Sequence, residues 1–183
     1  GLYPDSEKPV RGDRTRKRRR DGRESISLIR PSDGLVAAFF VPIIIMIIIF
    51  AQRGIFPFGE ESFLRTDMYH QYAPFFSEFQ YKLTHGGSLL YSWDVGMGVN
   101  FAALYAYYLA SPFNLLLVLF PERLLPEALL VITLLKNALT AALFAACLQY
   151  VYRRRDMSVC IVAIMYSMMM YLLAYSWNIM WLD

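Results

Sequence analysis

Residues 101–121, FAALYAYYLASPFNLLLVLFP, decide how many times this chain crosses a membrane. The run is apolar enough to span, but Ser111-Pro112 interrupt it midway and Pro121 closes it. A proline removes a backbone donor and clashes with the turn before it, so one straight helix is disfavoured. The charges downstream settle the matter. Residues 127–151 form another apolar run, followed directly by Arg153-Arg154-Arg155. If 101–121 crossed, 127–151 would return outward and leave three arginines outside, against the Lys and Arg excess of cytoplasmic loops. If 101–121 dips and returns, or lies along the surface, the arginines end inside. Irregular backbone at membrane depth is tolerated only where protein covers it or it lines a cavity. The stretch is therefore read as a re-entrant or interfacial pair of short helices, one wall of an outward-facing cavity.

Upstream, residues 35–51 (LVAAFFVPIIIMIIIFA) are uncharged and at the short end of spanning length, with Pro42 the place for a kink. Residues 158–175 make the third span, in which Met165, Met168, Met169 and Met170 read as packing filler rather than a metal port. The expected fold is thus an all-α integral membrane bundle with spans at 35–51, 127–151 and 158–175 and an outer loop at 52–126. With 57% hydrophobic residues and a mean hydropathy of +0.36, the chain is no ordinary soluble domain. Ten of its eighteen Lys and Arg lie between Lys8 and Arg30. Residues 1–33 read as a disordered cytoplasmic tail resting on anionic lipid, not a nucleic-acid arm, because a span follows at once. No small-residue cleavage site follows Phe50, which favours an uncleaved anchor over a signal peptide. Cys147 and Cys160 form no disulfide framework or metal spacing. The chain opens on Gly1 and stops at Asp183 as a new polar segment begins. That pattern predicts residues 34–183 to be the front of a longer polytopic domain, inactive alone.

The long loop opens its chemistry at Leu64-Arg65-Thr66-Asp67-Met68-Tyr69-His70-Gln71-Tyr72-Ala73-Pro74-Phe75-Phe76. At helical spacing Met68, Tyr69, Tyr72, Phe75, Phe76, Phe79 and Leu83 form an apolar stripe, with Asp67, His70, Gln71, Ser77 and Glu78 opposite. Such a helix suits the lipid interface, rings among the headgroups and polar groups in water. Asp67 would open it beside any substrate carried on a lipid phosphate; alternatively, Thr66 or Asp67 simply caps the helix. Gly96-Met97-Gly98 lacks the strand, third glycine and acidic residue of a nucleotide loop and reads as a turn. Lys136 and Asn137 fall well inside the second span. A buried ammonium costs a few kcal/mol in lipid, so Lys136 pairs with a carboxylate or lipid phosphate, or else snorkels. The outer-face set is then Asp67, His70, Asp94 and Asp183, with Arg65 and Lys136 as cations. A carboxylate that takes a proton from an acceptor hydroxyl, beside cations that stabilise a departing phosphate, suits group transfer. Paired carboxylates would also suit sugar hydrolysis, which requires a separation that sequence does not give.

Three stretches carry a family resemblance: DMYHQYAPFF at Asp67–Phe76, SWDVGMGVNFAALYAYYLASPFNLL at Ser92–Leu116, and NIMWLD at Asn178–Asp183. In their order of aromatic, Gly, Pro and Asp positions they resemble the bacterial YfhO-type membrane proteins, over about residues 35–183. The resemblance implies a GT-C-like helical bundle that transfers sugar from a polyprenyl-phosphate donor to an envelope polymer such as teichoic acid, outside the bacterial cytoplasmic membrane. It also implies catalytic acids in the first and second outer loops, positions held here by Asp67 and Asp183. Arg65, His70, Gln71 and Lys136 are then the candidates for holding substrate and phosphate. The first loop lacks a tight Asp-x-Asp or Glu-x-Asp pair, so no metal ligands are assigned and a divalent cation stays an option.

Two other classes compete. A transporter or lipid-sugar flippase would use Lys136 and the broken 101–121 segment as a path, leaving Asp67 dispensable. A non-catalytic assembly protein would use the aromatic outer loop to bind a partner.

Overall fold

The computed structural model describes residues 31–183, so the expectations for the basic tail up to Arg30 lie outside it. Helix α1 spans Pro31–Gln52 and runs on through Pro42 as one element. A five-residue π-turn, Met68–Tyr72, leads into α2, Ala73–His85. Strands β1 (Tyr91–Ser92) and β2 (Val99–Asn100) pair antiparallel, Tyr91 opposite Asn100. Then come α3 (Phe101–Leu104) with a π-turn over Tyr105–Leu109, and 3-10 helices at Pro112–Leu119 and Glu122–Leu124. Helices α4 (Leu125–Tyr152), α5 (Met157–Ser167) and α6 (Met170–Ala174) follow, and a 3-10 turn covers Ile179–Leu182.

Among the described residues three helical segments are long and apolar enough to cross a membrane: Gly34–Gln52, Glu122–Tyr152 and Met157–Ala174. This is the all-α membrane architecture expected. The third is not one straight helix. Met169 is extended (ψ 148°) between α5 and α6, and Ser167 turns its hydroxyl back onto the Ile164 carbonyl at 3.0 Å, competing with the backbone ladder.

Helices α1, α4 and α5 pack pairwise into a bundle. At one end Ala38, Ala145 and Ala163 are fully buried with Cys160, and such small side chains let helix backbones approach closely. Toward Gln52, Met46 and Phe50 of α1 meet Leu130 and Leu134 of α4. Val36, Phe40, Ile44 and Ile48 make an i, i+4 row, each more than half exposed. Water would penalise that row, whereas lipid tails would not.

The principal core lies at the Gln52 end, outside the three-helix bundle. Met68, Tyr72, Phe76 and Phe79 pack there with Phe101, Leu104, Leu109, Leu117 and the first turns of α4. The segment 101–119 does bend: its two arms meet at 102°. At about 1.5–2 Å per residue neither arm covers a hydrocarbon core roughly 30 Å thick. Two buried amides hold the bend. Asn114 donates to the Leu109 carbonyl at 3.0 Å, and Gln80 of α2 donates to Leu117 (2.9 Å) and Phe120 (2.7 Å). The Leu109 and Phe120 carbonyls, at helical ends, thereby gain partners away from water, and Leu117 adds a second bond to the one its carbonyl accepts from the Phe120 N–H.

The stripe predicted for α2 needs two corrections. Tyr69, expected on the apolar face, is 59% exposed, while Glu78, expected on the polar face, is buried. The π-turn supplies the reason for Tyr69, since each i→i+5 bond inserts a residue and rotates what precedes it against an ideal 3.6-residue count. Glu78 is buried because it has partners. Its Oε1 accepts from Ser92 Oγ at 2.6 Å and lies 3.0 Å from Lys82 Nζ, which also donates to the Tyr91 carbonyl. These bonds fasten the β-hairpin to α2. The hairpin turn contains Gly96-Met97-Gly98, as read from the sequence, and its tightest point is Gly98 (φ +111°). A Cβ there would collide with the Tyr91 hydroxyl and come within 3.1 Å of the Trp93 ring.

Candidate functional site

The predicted site residues fall into two groups at the Gln52 end. The first is built around Asp67. Thr66 takes φ +46°, and its carbonyl accepts from the N–H groups of both Tyr69 and His70 at 3.1 Å. The backbone thus closes its own first turn, and Asp67, already helical, makes no side-chain capping bond. The capping role is not what this carboxylate performs. Asp67 is exposed, and among the described residues it has no hydrogen-bond or ion-pair partner.

Beneath it lies a wall of phenols. Tyr72 is buried, with its ring edge-on to Tyr108 at 5.6 Å, and Phe75 meets the same ring at 5.1 Å. Burial, then the neighbouring Tyr108, Asp67 and Tyr107, push the Tyr72 phenol up to about 12. It stays neutral through the physiological range, a fixed dipole and not a proton acceptor. Gln71 donates to the Tyr108 hydroxyl at 2.7 Å, and His70 stands edge-on to Tyr69 at 5.1 Å. Arg65 makes one loose 3.9 Å contact with Glu61, both largely exposed, an arrangement of little energetic weight.

The second group is a junction of three segments on one oxygen. Asp183 Oδ1 lies 2.8 Å from Lys136 Nζ and accepts from Ser111 Oγ at 2.6 Å. Lys136 donates as well to the Ile179 carbonyl at 3.0 Å, and its ammonium stands 6.0 Å from the Phe113 ring centroid. With Lys136 only 3% exposed, it neither snorkels nor waits free for a ligand; its partner is a carboxylate. Because α4 packs Leu134 against the last turns of α1, Lys136 lies about 3 Å deeper than that level. Ser111 marks the break in 101–121, so α4, the bent pair and the segment after α6 meet here.

Lys136 and Asp183 are therefore brought together, as are Asp67, His70 and Gln71 along one turn. Among the described residues no hydrogen bond or ion pair joins the two groups, though Met68, Tyr72 and Ile179 belong to one apolar core between them. Asp94 stands apart on the hairpin, exposed, its N–H on Ser92 Oγ at 3.3 Å. Among the described residues no three His, Cys, Asp or Glu side chains converge as metal ligands, so these residues alone do not fit a metal ion. Sequence reasoning missed Ser111, Gln80, Asn114 and Tyr108. Only the Glu78–Lys82 pair carried a readable signal, opposite charges four residues apart.

A comparison with curated proteins and one with solved structures each give no match. A family model described as "Bacterial membrane protein YfhO" matches residues 37–183, which hold all three spans but the first turn of α1, the bent pair and both groups of site residues. On that match over most of its length, this multi-pass membrane chain belongs to the YfhO family of bacterial membrane proteins.

Proposed function

We propose that the chain supplies the front of a GT-C-like membrane glycosyltransferase, moving a sugar from a polyprenyl-phosphate donor to an envelope polymer such as teichoic acid. The Gln52 end of the bundle faces out of the cytoplasmic membrane, and the N-terminus lies inside. The observation that carries the reading is the unpartnered Asp67 carboxylate, fixed at the head of a buried aromatic helix at the end of a span. Family membership supports it. In this reading Asp67 takes the proton from an acceptor hydroxyl as that oxygen bonds to the sugar's anomeric carbon. The bond from that carbon to the phosphate oxygen breaks, and the phosphate leaves with the electron pair. Gln71 and Tyr108, locked to each other, present polar atoms for sugar hydroxyls. Asp183 is held by Lys136 and Ser111 as the second acidic position.

A transport role is less well supported. The ammonium it would rely on is already engaged by Asp183 and the Ile179 carbonyl.

The test is Asp67→Asn in the full-length protein in membranes, supplied with labelled polyprenyl-phosphate sugar and a polymer acceptor. The expected result is a turnover loss of roughly a hundredfold or more, the scale of general-base catalysis. Expression and donor binding should persist, and Asp94→Asn should be milder. Parental transfer by Asp67→Asn would refute the assignment.

A further inference from the structure

A cleft between the ends of α1 and α6 takes no part in the proposed chemistry. Its volume is about 280 Å³. Phe50, Ile55 and Phe63 form an apolar floor, with the Phe50 and Phe63 rings edge-on at 5.7 Å. Arg53 and Arg65 line the opening, and Trp177 stands beside them, 39% exposed. Arg53 is the first charged residue after an uncharged span, and among the described residues its guanidinium has no carboxylate partner. Arg65 has only the loose 3.9 Å contact with Glu61. Ser176 also lines the cleft, but its hydroxyl proton is donated to the Leu173 carbonyl at 2.8 Å, so the two guanidiniums and the Trp177 indole N–H are left as side-chain donors.

We infer that this cleft seats the phosphate head of an anionic phospholipid of the surrounding bilayer, a resident lipid and not a sugar donor. Two guanidiniums with vacant donors match a phosphate diester in charge and hydrogen-bonding geometry. Ile49, one helical turn before Arg53 and with its carbonyl accepting from the Arg53 N–H, is an exposed apolar side chain on that side of α1, a surface for an acyl chain. A tryptophan at that depth is the ordinary companion of lipid headgroups. Among the described residues no Asp or Glu lines the cleft, so a sugar donor seated there would meet no general base. The lipid would join the end of α1 to the segment carrying Ser176 and Trp177. The inference stands whether or not Asp67 is a base.

Trp177 supplies the probe. With Trp93→Phe and Trp181→Phe it becomes the sole tryptophan, and the chain is reconstituted in phosphatidylcholine vesicles holding traces of lipid with brominated tails. Brominated phosphatidylglycerol should quench Trp177 at a mole fraction roughly thirtyfold lower than brominated phosphatidylcholine, since each of the two arginines near the surface favours an anionic headgroup about fivefold. Arg53→Gln with Arg65→Gln should abolish that preference, and unbrominated phosphatidylglycerol should reverse the quenching. Equal quenching by both headgroups in the parent would overturn the inference without recourse to any variant. Reversal by inorganic phosphate alone would mean a free-anion site. Displacement far more efficient by polyprenyl monophosphate than by phosphatidylglycerol would mean a donor site. Either result would overturn the resident-lipid assignment.

Discussion

At the scale of single residues, the Lys136–Asp183 pair is asymmetric, and the asymmetry has a measurable sign. Lys136 is buried while the Asp183 carboxylate side chain is 39% exposed. Asp183→Asn leaves an ammonium in an apolar helix with weaker partners. Lys136→Met leaves a carboxylate that water can reach, with Ser111 still donating to it. Breaking a buried pair costs roughly 3–5 kcal/mol when the orphaned charge stays buried, and much less when it rehydrates. Asp183→Asn should therefore destabilise the folded protein more than Lys136→Met, by about 2 kcal/mol. The double variant should recover most of the loss. Thermal unfolding in detergent, followed by near-ultraviolet dichroism, reads all three; equal losses in the single variants would contradict the geometry. Residue types alone left Lys136 either paired with a carboxylate or lipid phosphate or snorkelling to the headgroups, because an ammonium in a span is costly. They did not show that Ser111 would share the oxygen, since a serine before a proline looks like any turn.

At the scale of elements, the bent pair rests on Gln80. Its amide serves two carbonyls at the end of the Pro112–Leu119 helix, from a position 1% exposed. Gln80→Leu preserves volume but strands the Phe120 carbonyl, at about 1–3 kcal/mol for a buried orphan, and leaves the Leu117 carbonyl only its bond from the Phe120 N–H. The expected outcome is a protein that inserts normally yet exposes 110–121 to protease many times faster; an unchanged cleavage rate would show that other groups hold the bend. The existence of a break in 101–121 was legible from Ser111-Pro112 and Pro121. The face of α2 was legible at Met68, Tyr72, Phe76 and Phe79. It was illegible at Tyr69 and Glu78, where a π-turn and a buried ion pair override a 3.6-residue count. Neither a five-residue π-turn nor a pair of two-residue strands leaves a periodic trace in a sequence.

At the scale of the whole molecule, the proposed orientation follows from Arg153-Arg154-Arg155 after α4 and the 102° bend before it. With Cys147→Ser and Cys160→Ala as background, an impermeant thiol reagent outside intact cells should label Ser88→Cys and miss Arg154→Cys. Strong labelling at 154 would mean that 101–121 crosses after all. The three long apolar helices were legible in hydropathy, and the family in the order of aromatic and turn residues. Less legible was the thick apolar cap at the Gln52 end, because a core built from loop helices draws on residues 68, 101, 117 and 179 at once.

The Lys136–Asp183 contact also has a history in time. The two residues are 183 − 136 = 47 positions apart, so at about 5–20 residues per second a ribosome adds the acid roughly 2–9 s after the base. During that interval α4 enters the bilayer with its ammonium unmatched, a penalty near 3 kcal/mol on insertion scales. Its leucines and alanines outweigh that penalty, so the helix enters first. It keeps an electrostatic vacancy that only the third span's far end can fill, and the order of synthesis thereby becomes an order of assembly.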